Sequence, residues 1–170
     1  LNLLKEKGVT SLLDVGCGTG PIYQMLTYDW GKVDSHWETI SKYKGVDSSK
    51  GMIDVCKLHF PEASWEIGDA NNLHEGDKSW DCLLYLHSFD YIFDYKKALE
   101  EMYRVTKKYV CIVLWQTLRP DEEHRLNDSV NGVEDVDWSN ARLQHFSWTK
   151  LKKEFEDAGF KILLKKDDEE

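Results

Sequence analysis

Thr10-Ser-Leu-Leu-Asp-Val-Gly-Cys-Gly-Thr-Gly20 is the stretch whose reading decides the fold. Its first half, Leu12, Leu13 and Val15 around a single acid, Asp14, reads as a short buried strand, because apolar runs closed by glycine have that signature. The run then breaks into glycines at alternate positions, Gly16, Gly18 and Gly20. Pro21-Ile-Tyr-Gln-Met-Leu26 starts a helix, with proline at the first position, where its missing N–H costs nothing. Strand, glycine turn and helix follow one another without a linker. Glycines in such a turn permit positive φ and let a ligand approach the main chain with no Cβ in the way.

The spacing excludes two common uses of such a turn. A dinucleotide cradle needs G-x-G-x-x-G, and Pro21 stands where the third glycine should be. A phosphate-binding P-loop needs Gly-Lys-Ser/Thr at its end, and none follows. What remains is D-x-G-x-G-x-G, with a ligand-free βα turn as the plainer alternative.

Working outward, 170 residues suit one domain, 1–170, with a sizeable core. Hydrophobic residues make up 41% and the net charge is −9, which excludes a disordered chain and disfavours a phosphate backbone as partner. No nucleic acid is expected, and no membrane, since no apolar segment approaches the ~18 residues of a span. Cys17, Cys56, Cys82 and Cys111 form no C-x-x-C pair, so they read as reduced thiols in a cytoplasmic protein. No tight His/Cys/Asp cluster has metal-ligand spacing; His124 beside Glu122 and Glu123 is an ordinary charged loop. The chain opens on Leu1 and enters its first strand almost at once, which leaves room for preceding residues that would cover a substrate.

Further strands are expected at Tyr43–Asp47, Ala63–Ile67, Trp80–Leu86, Tyr109–Trp115, 141–146 and Phe160–Leu164. Helices are expected over Ser48–Lys57, with Met52, Ile53 and Cys56 on one stripe, and over Tyr95–Val105, with Ala98, Leu99, Met102 and Val105 inward. Ser147 is placed to cap a helix through Ala158, with Gly159 past its end. Strands alternating with helices make an α/β, doubly wound, mostly parallel sheet with helices on both faces. Residues 116–139, long and polar, fall between elements and suit a lid or substrate insertion.

In such sheets ligands sit beyond the carboxyl ends of strands. Asp47 ends its strand, where a carboxylate can accept both hydroxyls of a ribose or can simply cap a helix. In Gly68-Asp69-Ala70, a side-chain carboxylate beside a backbone N–H can read the edge of adenine, although Gly-Asp is also an ordinary turn. Leu86-His87-Ser88-Phe89-Asp90-Tyr91 follows the fourth strand. Phe89, Tyr91 and Trp115 suit either an apolar pocket or the core.

Taken together, these stretches resemble the motifs of the class I S-adenosylmethionine-dependent methyltransferases, in that family's order and over nearly the whole chain. Thr10–Gly20 resembles the first motif, Tyr43–Ser48 the second and Trp65–Ala70 the third. Trp80–His87 with Glu100–Val105 resembles the fourth, as in the small-molecule branch. The resemblance implies a seven-stranded sheet whose last strand is antiparallel. It implies that S-adenosylmethionine rests on Asp14, Gly16, Cys17, Gly18 and Gly20, with Asp47 and Ser48 at its ribose. Met52, Asp69, Ala70 and Leu86 would complete the cofactor site. Lys107-Lys108 departs from the glycine pair usual before the fifth strand.

Methyl transfer from a sulfonium is an in-line displacement, for which a protein mainly supplies proximity and alignment. A base is needed only for a nucleophile that arrives protonated. His87 is the better-placed candidate and His124 the second; a structural histidine is the plainer reading of either. The implied activity is methylation of an O, N or C atom of a small molecule. A protein acceptor, a non-catalytic cofactor-binding scaffold and a nicotinamide-dependent oxidoreductase are the alternatives. No Asn/Asp-Pro-Pro-Tyr/Phe follows the fourth strand, which argues against nucleic-acid bases as acceptors.

Overall fold

In the computed structural model, the described residues are 4, 6–27, 40–114, 125–127 and 143–162. The apolar runs become parallel strands: β1 (Ser11–Val15), β2 (Lys42–Asp47), β3 (Ser64–Ile67), β4 (Trp80–Leu86) and β5 (Thr106–Val113). Between them lie α1 (Pro21–Thr27), α2 (Lys50–His59) and α3 (Tyr95–Val105), with α4 (Trp148–Asp157) near the end. The sheet order is β3-β2-β1-β4-β5. The chain therefore winds outward from β1 in one direction, then returns to β4 and winds the other way. The switch point falls between β1 and β4, where a doubly wound sheet opens its ligand crevice.

Both faces are covered. β4 turns Cys82 and Leu84 toward a cluster with Leu12, Tyr23, Ile53 and Trp65 on the α1/α2 side. Its Leu83 and Tyr85 face Phe89, Leu99, Met102 and Phe155 on the α3/α4 side. Leu12 and Leu83 are fully buried on opposite faces, each contributing roughly 1.5–3 kcal/mol of transfer free energy. This layering is the one expected of near-continuous apolar strands.

Most boundaries match the sequence expectations within two residues, and α3 buries the expected stripe together with Tyr95. On α2, Ile53 and Cys56 are buried, but Met52 is 41% exposed and leaves the stripe. β5 begins three residues earlier than expected, directly after α3, because Lys107 and Lys108 replace a glycine turn. The ladder absorbs them as a register shift: Trp80 pairs with Thr106 but Cys82 with Tyr109.

The expected seven-stranded sheet with an antiparallel last strand is corrected: among the described residues the sheet has five strands, all parallel. Arg125–Asn127 (β6) and Leu143–His145 (β7) pair antiparallel with each other in a separate ribbon. Phe160 does not start a strand, because it completes the cap of α4. Gly159 takes φ +94°, its N–H donates to Glu156 O, and the Phe160 N–H donates to Phe155 O. The Phe160 ring lies 5.6 Å from that of Phe155, the apolar contact that accompanies this cap. Ser147 holds the N-cap position of α4, but its side chain makes no capping hydrogen bond. Within 116–139 only Arg125–Asn127 is described, and residues 163–170 lie outside the described residues. Among the described residues no helix is long and apolar enough to cross a membrane.

Candidate active site

The turn after β1 is fastened to β2 through the main chain. The N–H groups of Gly16 and Cys17 both donate to Val46 O, at 2.7 and 3.1 Å. Gly16 and Gly18 both take positive φ, +76° and +55°, but they serve different ends. A Cβ on Gly16 would stand 2.3 Å from the Ser88 Cβ, so this glycine is the seam against the exit of β4. A Cβ on Gly18 would meet nothing within 4 Å. The space above Gly18 is open.

The four strand ends around the switch point form one connected edge. The Gly18 N–H donates to Asp47 Oδ2 (2.9 Å), and Asp47 Oδ1 accepts the Ser49 N–H (2.8 Å) at the start of α2. The capping and binding readings of Asp47 are therefore not exclusive; each oxygen keeps a lone pair for a further donor. Next along the edge, the Gly68 N–H donates to Asp47 O (3.0 Å). Asp69 is exposed, with Oδ1 accepting the Asn71 N–H (2.9 Å). On the other side, the Ser88 hydroxyl donates to Val15 O (2.6 Å). Met52 and Ile67 leave apolar side chains exposed at 41% and 46%, Ser48 is exposed, and Ala70 and Leu86 are half-buried. Gly20 and Cys17 are buried, and the Cys56 thiol donates to Gly18 O (3.1 Å) from below the turn.

Asp14 is only 2% exposed, behind the glycine turn, and Tyr43 donates its hydroxyl to Oδ2 at 2.8 Å. Burial pushes its carboxyl up to about 7; the Tyr43 hydrogen bond opposes this and the Asp47 charge adds to it. Burial, with the Asp14 charge next, also holds the Cys17 thiol far above its ordinary value, so it is not a nucleophile at neutral pH.

His87 leaves β4 with φ +58°, a left-handed conformation that a side chain bearing a Cβ adopts at a cost. Its N–H donates to Val113 O (2.8 Å), and the residue is exposed. Phe89, by contrast, is wholly buried against Tyr85, Tyr95 and Phe146 and belongs to the core. Tyr91 and Phe93, past the end of β4, are exposed at 38% and 67%, and Val113, the last residue of β5, at 41%. His124 and Trp115 lie outside the described residues.

Sequence reasoning missed Tyr43 and Ser88. Tyr43 shares a strand face with Gly45, which pairs with Asp14 across β1 and β2; alternation in β2 gives that face but not the partner across it. Ser88 had no comparable signal, since its role depends on a contact across 72 positions.

A family model described as "Methyltransferase domain" matches residues 13–114. The chain is 27% identical to the demethylmenaquinone methyltransferase of Thermotoga maritima over 71% of its own length and 49% of the relative's. It is 25% identical to the ajmaline N-methyltransferase of Rauvolfia serpentina, over 76% of this chain and 47% of that one. Among solved structures, an S-adenosylmethionine-dependent methyltransferase from Mesorhizobium loti superposes with a TM-score of 0.65 at 16% identity. The match covers 96% of this chain and 81% of that one. The chain thus spans about half the length of these curated relatives.

Proposed function

Since the chain belongs to the class I methyltransferase-domain family, we propose that it binds S-adenosylmethionine along the β3-β2-β1-β4 edge and serves methylation of a small molecule. The observation that carries this reading is the open space over Gly18, bordered on one side by the Asp47 carboxylate and on the other by the exit of β4. The residues present fit such a group. The Gly18 backbone admits close approach, Asp47 retains lone pairs for ribose hydroxyls, and the exposed Met52 and Ile67 offer apolar cover for a flat base. Asp69 and the Ala70 N–H supply the acceptor and donor that an adenine edge requires, while Asp14 places a carboxyl behind the turn.

When bound, the cofactor supplies an electrophilic methyl group on a sulfonium, open to in-line attack. The chain's own task is to hold and orient both molecules and to exclude water. Tyr91, Phe93 and Val113 give the acceptor side an apolar character. The names of the demethylmenaquinone and ajmaline enzymes support a small molecule as acceptor. The whole of 1–170 is read as one domain, with 116–139 as its lid or substrate insertion, in a cytoplasmic setting.

His87 is the proposed base if the acceptor nucleophile carries a proton, because it is an exposed imidazole standing directly after β4. His87→Ala should lower kcat by about 10²–10⁴-fold. Cofactor affinity should stay unchanged, and added imidazole should restore part of the rate. A variant with normal kcat would remove His87 from the reaction.

Calorimetric titration tests the function itself. S-adenosylmethionine and S-adenosylhomocysteine should both bind, and NAD should not. Binding of NAD alone would sink the proposal in favour of a nicotinamide enzyme.

A further inference from the structure

The segment that follows Asp69 is held from an unexpected direction. Arg104, in the last turn of α3, commits all five of its N–H groups. Nε and one Nη2 hydrogen donate to the two Glu101 oxygens, each at 2.7 Å. The second Nη2 hydrogen donates to Leu73 O (2.9 Å). The Nη1 pair donates to Glu75 O (2.7 Å) and Asp77 Oδ1 (2.9 Å). Glu101 Oε2 in turn accepts the Leu73 N–H at 2.8 Å. Both backbone polar groups of Leu73 are thus fixed by one ion pair on α3. The end of α3 adds two further ties, since Lys78 N–H and Ser79 N–H donate to Arg104 O and Val105 O.

The turn between Asp69 and Leu73 is tied within itself, by the Asn71 N–H to Asp69 Oδ1 (2.9 Å), and Ala70 rests against the core. Asn72 N–H donates to Asp69 O (2.9 Å), and upstream Gly68 N–H donates to Asp47 O (3.0 Å) where the β2–β3 ladder ends. Asp69 is exposed and no core packing locks it, whereas Leu73 is 5% exposed and anchored on both sides. Asn71 and Asn72 tie Asp69 to the stretch that ends at Leu73, so the anchor at Leu73 bears on where the Asp69 carboxylate and the Ala70 N–H stand. Bidentate guanidinium–carboxylate geometry suits this role, because it fixes direction as well as distance.

We propose that Arg104 is a positioning residue for base recognition: through Glu101 and Leu73 it sets the Asp69–Ala70 pair in register with the six-membered ring edge of the cofactor's adenine. The inference rests on the reading of Asp69 as the base-binding residue. It predicts that Arg104, in the last turn of α3 and outside the proposed cofactor contacts, controls which base the site accepts.

The test compares binding of S-adenosylhomocysteine and S-inosylhomocysteine, which differ only in the exocyclic group and protonation of the base edge. Wild-type protein should prefer the adenosyl compound, and Asp69→Asn should erase that preference. Arg104→Met should lower the preference about tenfold or more, the scale of one misplaced hydrogen bond. Arg104→Lys should fall between the two, because one ammonium cannot span Glu101, Leu73 and Asp77. Amide exchange at Asn71, Asn72 and Leu73 should quicken in both variants. Glu101→Gln repeats the test if Arg104→Met does not fold.

A purely structural arginine would lower the melting temperature and weaken both ligands equally. An unchanged base preference in folded Arg104→Lys and Glu101→Gln would therefore overturn the proposal. If wild type binds neither compound, or Asp69→Asn leaves the preference intact, it is the reading of the cofactor site that fails instead.

Discussion

Gly18→Val should abolish cofactor binding, with at least a hundredfold loss of affinity (about 3 kcal/mol), while the protein keeps its fold. The isopropyl group would enter the space where no atom lies within 4 Å of an added Cβ. The fold has little to lose there beyond backbone strain, since φ is +55° and a β-branched residue in that region costs roughly 1–2 kcal/mol. Gly16→Ala should behave in the opposite way. Its methyl group collides with Ser88 Cβ at 2.3 Å, so the seam between β1 and β4 must part and the melting temperature should fall. Calorimetry with S-adenosylmethionine and thermal unfolding by circular dichroism, run on both variants, separate the two effects. Normal binding by Gly18→Val would show that the cofactor does not pass over this turn.

The second large effect concerns Asp14. Its carboxyl titrates near 3.8 in the unfolded chain and is pushed up to about 7 in the fold, chiefly by burial. Between those values the folded protein holds a proton that the unfolded chain has released. Stability at this site is therefore full below about pH 4 and declines as pH rises towards 7. The loss is on the order of 4 kcal/mol at full ionisation. Asp14→Asn carries no such proton, and its amide oxygen can still accept from Tyr43. The variant should gain melting temperature relative to wild type between pH 5 and pH 8, with the gap widening as pH rises. If Asp14 answers the cofactor's cationic end as proposed, the variant should also bind S-adenosylmethionine more weakly. A gap that stays constant with pH would show that Asp14 is not the residue that takes up the proton. The residue is thus a liability to the empty fold that a positively charged ligand would relieve.

What the sequence revealed follows from how local the cause was. β1, the turn and α1 could be read from eleven consecutive residues, because glycine spacing and apolar alternation act over that range. The acids Asp47 and Asp69 could be read because each ends an apolar run. Tyr43 beneath Asp14, Ser88 against Gly16 and the Arg104–Glu101 pair on Leu73 could not, since each contact joins residues 28 or more positions apart. Periodicity says which way a side chain points, not what it meets. The fate of Phe160 has a similar cause: its apolar run suits a strand, but Gly159 and the Phe155 ring hold it to the end of α4. The resemblance to a known family supplied the cofactor and could not supply the strand count of the described sheet.

The connected edge has one more consequence. Nearly all of its links use peptide groups: the N–H of Gly16, Cys17, Gly18 and Gly68, and the carbonyls of Val15, Val46 and Asp47. Side-chain atoms enter through four residues, Asp47, Cys56, Asp69 and Ser88. A scaffold joined in this way can exchange the loops beyond β4 and β5 without disturbing the cradle beside them. Transplanting those loops from a methyltransferase of different acceptor preference should move substrate choice and leave cofactor affinity where it was.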